Sequence, residues 1–132
     1  MAIAPYLSIS LNDTMTSANI FDGMTAQIDN IAKTLKTHLN ITNQYNLPLT
    51  TYESGQGLLG TTSITTNLQM GIQTDDRMRS VYVKYYQMLF NNSITLTNQY
   101  TDSGINSQYG SFGMFQFTDQ RMNESSKWNG TK

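Results

Sequence analysis

Met24, Ile28, Ile31, Leu35 and Leu39 recur at steps of three and four in a stretch otherwise rich in amides, hydroxyls and lysine. That spacing gathers them on one face of a helix and leaves Lys33 and Lys36 to solvent. Asp22 or Thr25 is placed to cap its start, residues 8–22 read as a loop, and the pattern fades at residues 43–46, ahead of Pro48. A second stripe, Met78, Val81, Tyr82, Tyr85 and Met88/Leu89, predicts another helix that ends at Asn91 and Asn92. Thr74 can cap it, and Asp75 and Asp76 suit the positive end of its dipole. Between the two helices, residues 64–72 admit a short third one. The strand signals are briefer. Residues 2–7 form an apolar run with Pro5 inside it, residues 48–52 read as a short strand, and residues 93–98 are rich in β-branched side chains. Residues 114–117 admit a further extended piece, and the tail SSKWNGTK carries no core pattern of its own.

The order is strand, helix, strand, helix, strand, with long loops after strands and short ones before them. That alternation predicts an α/β fold of parallel βαβ units, about three parallel strands alternating with helices in a single domain over residues 1–132. Such folds place their chemistry at the carboxyl ends of the strands. Glu53, one of two glutamates in the chain, ends the second strand and opens a glycine-rich loop.

Composition narrows the chemistry. Charged residues make up 13% of 132 residues, and the net charge is −1. Phosphate neutralisation needs clustered Lys and Arg, so nucleic-acid binding is not expected. There are no cysteines and one histidine, His38, which removes thiolate metal sites, disulfides and multi-histidine zinc sites. No metal or cofactor is expected. No apolar run reaches the ~20 residues of a membrane span, and MAIAPYLSIS lacks the basic start and long apolar core of a signal peptide. A weakly charged surface of hydroxyls, amides and aromatic rings suits neutral polyhydroxyl ligands.

Five stretches occur in order: AIAPY (residues 2–6), LPLTTYESGQGL (47–58), DDRMRSVYVKYYQML (75–89), SQYGSFGMFQFTDQ (107–120) and SSKWNG (125–130). Together they resemble the C-terminal part of (β/α)8-barrel proteins of the retaining, clan-A glycoside hydrolase type, a group often labelled cellulose-binding or cell-wall-degrading. The group's pattern has a strand ending in A-P-Y, a strand ending in Y-E-G-G-Q, a D-P-R-M helix and a Y-G-x-W-G loop. Here Ser54 stands for a glycine and Phe112 for a tryptophan. The resemblance implies a partial (β/α)8 barrel beginning near the sixth strand, with Glu53 as catalytic nucleophile. The partner acid of such barrels lies in an Asn-Glu pair ending the fourth strand; the Asn-Glu pair of this chain, Asn123-Glu124, lies in the polar tail and not at a strand end. A full barrel takes ~250 residues. The chain therefore reads as a piece of a larger enzyme-like protein, inactive by itself, from a secreted or cell-surface parent. Its cut sheet would expose two edges, which predicts homo-oligomers formed through them.

Around Glu53, Tyr6, Tyr52 and Gln56 read either as holders of sugar hydroxyls or as loop hydrogen-bonding groups. Gln108, Tyr109 and Phe112 read either as a stacking platform with an amide beside it or as a cover for the core. Tyr82, Tyr85 and Tyr86, at helical spacing, read as core. Glu53 itself has a second reading, a strand-end carboxylate hydrogen-bonded to loop amides. The reading from another class is a non-catalytic carbohydrate-binding or structural module.

Overall fold

The computed structural model describes residues 1–132. It is a mixed α/β structure: β1 (Ala2–Ile3), α1 (Ser17–Gln44), β2 (Thr50–Thr51), α2 (Ser63–Gly71), α3 (Arg77–Asn91) and α4 (Ser126–Asn129), with 3₁₀ turns at Ile72–Thr74 and Met122–Glu124. β1 and β2 pair in parallel, Ala2 opposite Thr50 and Ile3 opposite Thr51. No barrel is formed.

β1 is short because Pro5 has no N–H to give a ladder and the Tyr6 N–H turns back onto the Ala4 carbonyl at 2.9 Å. Pairing then resumes. Leu7 N–H donates to the Gly55 carbonyl at 2.9 Å and Gly57 N–H to the Leu7 carbonyl at 3.0 Å. The two chain segments thus touch twice; Tyr52 N–H still reaches the Ile3 carbonyl at 3.0 Å, and the interruption covers residues 4–6 on one side and 53–54 on the other.

The third expected strand, residues 93–98, does not form. Its backbone still runs along the other edge of β2. Thr51 N–H donates to the Leu96 carbonyl at 3.1 Å, and farther along Tyr100 N–H donates to the Ser54 carbonyl at 3.0 Å. Between them the Asn98 N–H goes to the Thr51 hydroxyl at 3.0 Å. A side chain takes a donor that a ladder would have given to backbone, and the strand is lost there.

α1 begins at Ser17, within the stretch expected to be loop. Thr16 is the cap, not Asp22 or Thr25: its hydroxyl accepts from the Asn19 N–H at 3.3 Å while the Asn19 side chain accepts from the Thr16 N–H at 2.9 Å. Ile20 and Phe21 extend the buried stripe of Met24, Ile28, Ile31 and Leu35. α2 has the same reciprocal cap, built from Thr62 and Thr65. α3 does not start on Thr74, which lies in the 3₁₀ turn; its cap position is Asp76. Asp75 instead accepts from the Arg77 N–H at 2.9 Å and pairs with the Arg77 guanidinium at 2.6 Å, which holds its carboxyl below the usual range. Every residue of the predicted α3 stripe is buried, and it joins the α1 stripe, Leu7, Leu49, Leu58, Ile72 and Ile94 in one apolar cluster. No helix is long and apolar enough to cross a membrane.

Candidate functional site

β1 and β2 run the same way, so the residues just beyond them, Tyr6 and Glu53, emerge at the same end of the sheet. The Tyr6 hydroxyl donates to the Glu53 carboxylate at 3.0 Å. Partial burial raises the Tyr6 phenol to about 12, assisted by that hydrogen bond and by the charge of Glu53. At any ordinary pH Tyr6 is therefore a donor, fixed on the carboxylate. Tyr100, which follows the third segment, joins the same end. The Phe112 ring lies edge-on to both tyrosines, with centroids 6.4 Å from Tyr6 and 5.7 Å from Tyr100. One carboxylate, its phenol donor and two more rings thus form a rim drawn from four separate parts of the chain.

The floor under this rim is made by α3. The Tyr85 hydroxyl donates to the Pro5 carbonyl at 2.8 Å, and the Tyr82 hydroxyl accepts from the Gln56 N–H at 3.3 Å. Both phenols are pushed up by burial. Tyr85 occupies the interruption at Pro5, and Tyr82 takes the Gln56 N–H that the resumed pairing with Leu7 leaves free, so that no unpaired backbone is buried there. The tyrosine stripe is core, and it also supports the site. Ser54, the departure from glycine, is fully buried and its hydroxyl donates to the Asn98 carbonyl at 2.8 Å, tying the third segment beside β2.

The other sequence-predicted site residues divide. Phe112 is on the rim. Tyr52 is next to Glu53 in sequence but projects away, 57% exposed, into a groove of about 410 Å³ between β1 and α1. His38 lines that groove too. Gln56 is fully buried. Its side-chain N–H donates to the Ser111 carbonyl and its carbonyl oxygen accepts from the Leu58 N–H at 2.9 Å. Gln56 therefore braces the loop and does not face a ligand. Gln108 and Tyr109 sit on the turn between Ser107 and Gly110 and line a separate open hollow with Thr62, Ser63 and Asn67. Tyr109 is 80% exposed there and is not part of the Glu53 rim.

Comparison with protein-family models, curated proteins and solved structures gives no match.

Tyr6, Glu53 and Phe112 are half-buried and Tyr100 is exposed. Other carboxylates with a partner or a hollow are elsewhere: Asp75 on Arg77, Asp13 on the Thr62 hydroxyl, Glu124 in a small hollow beside Lys127, Asp29 in a hollow with Lys84, and Asp119 in one with Gln116 and Phe117. Asp22, expected in a loop, lies in α1. No group of three or more His, Asp or Glu residues is arranged to hold a metal ion. Chemically the rim can offer a fixed carboxylate oxygen to an electrophilic carbon or a hydroxyl, and ring faces and edges to an apolar surface.

The reading of the sequence missed the polar support behind Phe112. Ser111, Gln69 and Lys127 are all buried. Only the quoted SSKWNG motif hinted that the tail matters, because nothing in a lysine's neighbours announces that it is inside.

Proposed function

We propose that this chain is the sugar-facing part of a (β/α)8-type protein of the retaining glycosidase class, with Glu53 as the carboxylate that attacks the anomeric carbon. One observation carries the reading: the hydrogen bond from Tyr6 to Glu53 across the carboxyl ends of two parallel strands. A retaining nucleophile must be ionised, oriented and next to the sugar ring. The Tyr6 donor orients the oxygen, and the Phe112 and Tyr100 rings supply apolar surface for the face of a pyranose. The passage of β1, β2 and residues 94–98 side by side in one direction supports the barrel reading. Retaining cleavage also needs a second carboxyl group ~5–5.5 Å away. That acid would be supplied by other parts of a complete barrel, so the chain by itself binds a β-linked polysaccharide and does not cleave it. The free edge of β1 would be covered by a second copy, and light scattering at the monomer mass would refute this.

A second reading, a non-catalytic sugar-binding module, is favoured by the exposure of Tyr52, Tyr100 and Tyr109. An activated fluoro-glycoside carries its own leaving group and needs no acid. Incubation with the protein followed by mass spectrometry separates the two. A mass increase that disappears in Glu53→Gln supports the nucleophile; oligosaccharide binding without labelling supports the module; neither labelling nor binding refutes both.

A further inference from the structure

The Lys127 ammonium group has no carboxylate partner. It lies in α4, 3% exposed, and its Nζ donates to the Ser111 carbonyl at 2.6 Å and the Gly113 carbonyl at 2.8 Å. Those two carbonyls flank Phe112. The same short segment is also gripped from the loop after β2 and from α2. The Gln56 side chain donates to the Ser111 carbonyl, and the Gln69 side chain of α2 donates to the Ser111 hydroxyl at 2.5 Å. Ser125 donates to the Met114 carbonyl at 2.7 Å. On the near side, Gly110 takes φ +123° and a Cβ there would stand 2.2 Å from the Phe112 ring, so the ring folds back over the turn. Residues 110–114 have no regular secondary structure. Backbone bonds fix the two ends of this segment, Gly110 N–H to the Ser107 carbonyl at 3.0 Å and Met114 N–H to the Thr101 carbonyl at 2.9 Å; between them, side chains bond the carbonyls of Ser111 and Gly113.

We propose that Lys127 is a positioning residue for the Glu53 site, fixing Phe112 against Tyr6 and Tyr100 through the carbonyls of Ser111 and Gly113. The inference rests on the reading of the rim as a sugar site. Its structural half, the link from Lys127 to the Phe112 ring, is testable without any sugar.

Among the bonds holding the segment, those of Lys127 come from its one ionisable group. Burial lowers that amine to about 7. A neutral amine has two N–H groups, matching the two carbonyls. A third proton needs a third acceptor. The space available is a hollow of about 20 Å³, room for one water, lined by Lys127, Gln73 and Glu124 among others. The Gln73 carbonyl oxygen is buried without a partner. The charged residues of the packed elements are Glu124 on the preceding turn, which shares that hollow, and Arg77, Arg79 and Lys84 on α3, all exposed. Protonation on passing below neutral pH adds a third N–H and a positive charge, and so changes how Nζ bonds the two carbonyls beside Phe112.

The test places 4-fluorophenylalanine at position 112 and follows its fluorine resonance between about pH 5.5 and 9, a range that brackets the amine. In parallel, the Lys127 Nζ is titrated by nitrogen NMR on lysine-labelled protein. The expected result is a Phe112 transition near pH 7 that coincides with the amine and is absent from Lys127→Met and Lys127→Gln. The Gln variant keeps an N–H donor and covers failure of the Met variant to fold. A Phe112 resonance flat with pH in the parent protein, or a transition with a midpoint unlike that of the amine, overturns the inference. Affinity for cellohexaose is then expected to fall about two- to tenfold from pH 8 to pH 6, the worth of one aromatic contact. Absence of cellohexaose binding at every pH counts against the sugar reading, while the fluorine titration still decides the link from Lys127 to Phe112.

Discussion

The buried faces of α1 and α3 are made of hydrocarbon and phenol: Met24, Ile28, Ile31 and Leu35 on one helix, Met78, Val81, Tyr82, Tyr85 and Leu89 on the other. The segment around Phe112 is held in another way. Ser111 is buried and bonded by Gln56, Gln69 and Lys127, while Met114 is held by Ser125. In the first region regular helices satisfy their own backbone, and burial needs only apolar side chains at the right period. In the second no regular ladder runs through residues 111–113, so Gln56, Lys127 and Ser125 bring donors to the carbonyls and Gln69 brings one to the Ser111 hydroxyl. Hydrocarbon packing tolerates small shifts, whereas hydrogen bonds fix atoms to a few tenths of an ångström. A ring that must stand beside a carboxylate gains from the second method.

Substitution should expose this contrast. Tyr82→Ala empties the middle of the helix interface and removes an acceptor from the Gln56 N–H. Chemical denaturation should show a loss of ~3–5 kcal/mol. An effect confined to the Phe112 segment would erase the distinction between the regions.

The pH dependence of stability sharpens it. Unfolded lysine takes its proton near 10.5, and folded Lys127 only near 7. Within that window the unfolded state binds more protons, so stability rises with pH, by at most ~1.4 kcal/mol per unit. Tyr6 acts the other way. It ionises near 10.0 when unfolded and near 12 when folded, so its contribution is lost as pH rises between those values. Stability should climb from neutral pH toward about 10 and then fall, and the climb should flatten in Lys127→Met. A curve already falling between pH 7 and 10 would refute the burial of Lys127.

Gln56→Leu keeps apolar volume but leaves the Leu58 N–H without its acceptor and removes one of two donors from the Ser111 carbonyl. The expected cost is ~1–3 kcal/mol. Hydrogen exchange should quicken around residues 107–117 while α1 and α3 stay protected; uniform acceleration would contradict the idea of separate supports. Thr16→Ala, which removes the cap of α1, should cost ~1 kcal/mol and leave the Phe112 segment unchanged in the same exchange measurement.

The two regions also differ in how far the sequence discloses them. The stripes of α1 and α3 are legible because period reports burial. The start of α1 is hidden: Ile20 and Phe21 carry the stripe on, but they sit among Asn and Asp, and the reciprocal cap uses Asn19 where a Glu or Gln would be recognisable. Residues 93–98 have the composition of a strand, yet the Thr51 hydroxyl intercepts the Asn98 donor, a choice that local propensity does not encode. Glu53 and Tyr6 could be placed at one end of the sheet from the strand order alone. Gln56 reads equally as a rim amide or a loop hydrogen-bonding group, and it is the latter, a buried brace; Gln108 and Tyr109, read as a stacking platform or a core cover, line another hollow. Lys127 was invisible, because a buried amine depends on carbonyls brought from a loop distant in the fold.

The measurement closest to the central claim is residue-resolved NMR of the protein titrated with cellohexaose. The account predicts shifts concentrated at Tyr6, Glu53, Tyr100 and Phe112, and their loss in Tyr6→Phe. Shifts confined to Gln108 and Tyr109, or to the groove lined by Tyr52 and His38, would place sugar binding elsewhere and contradict it.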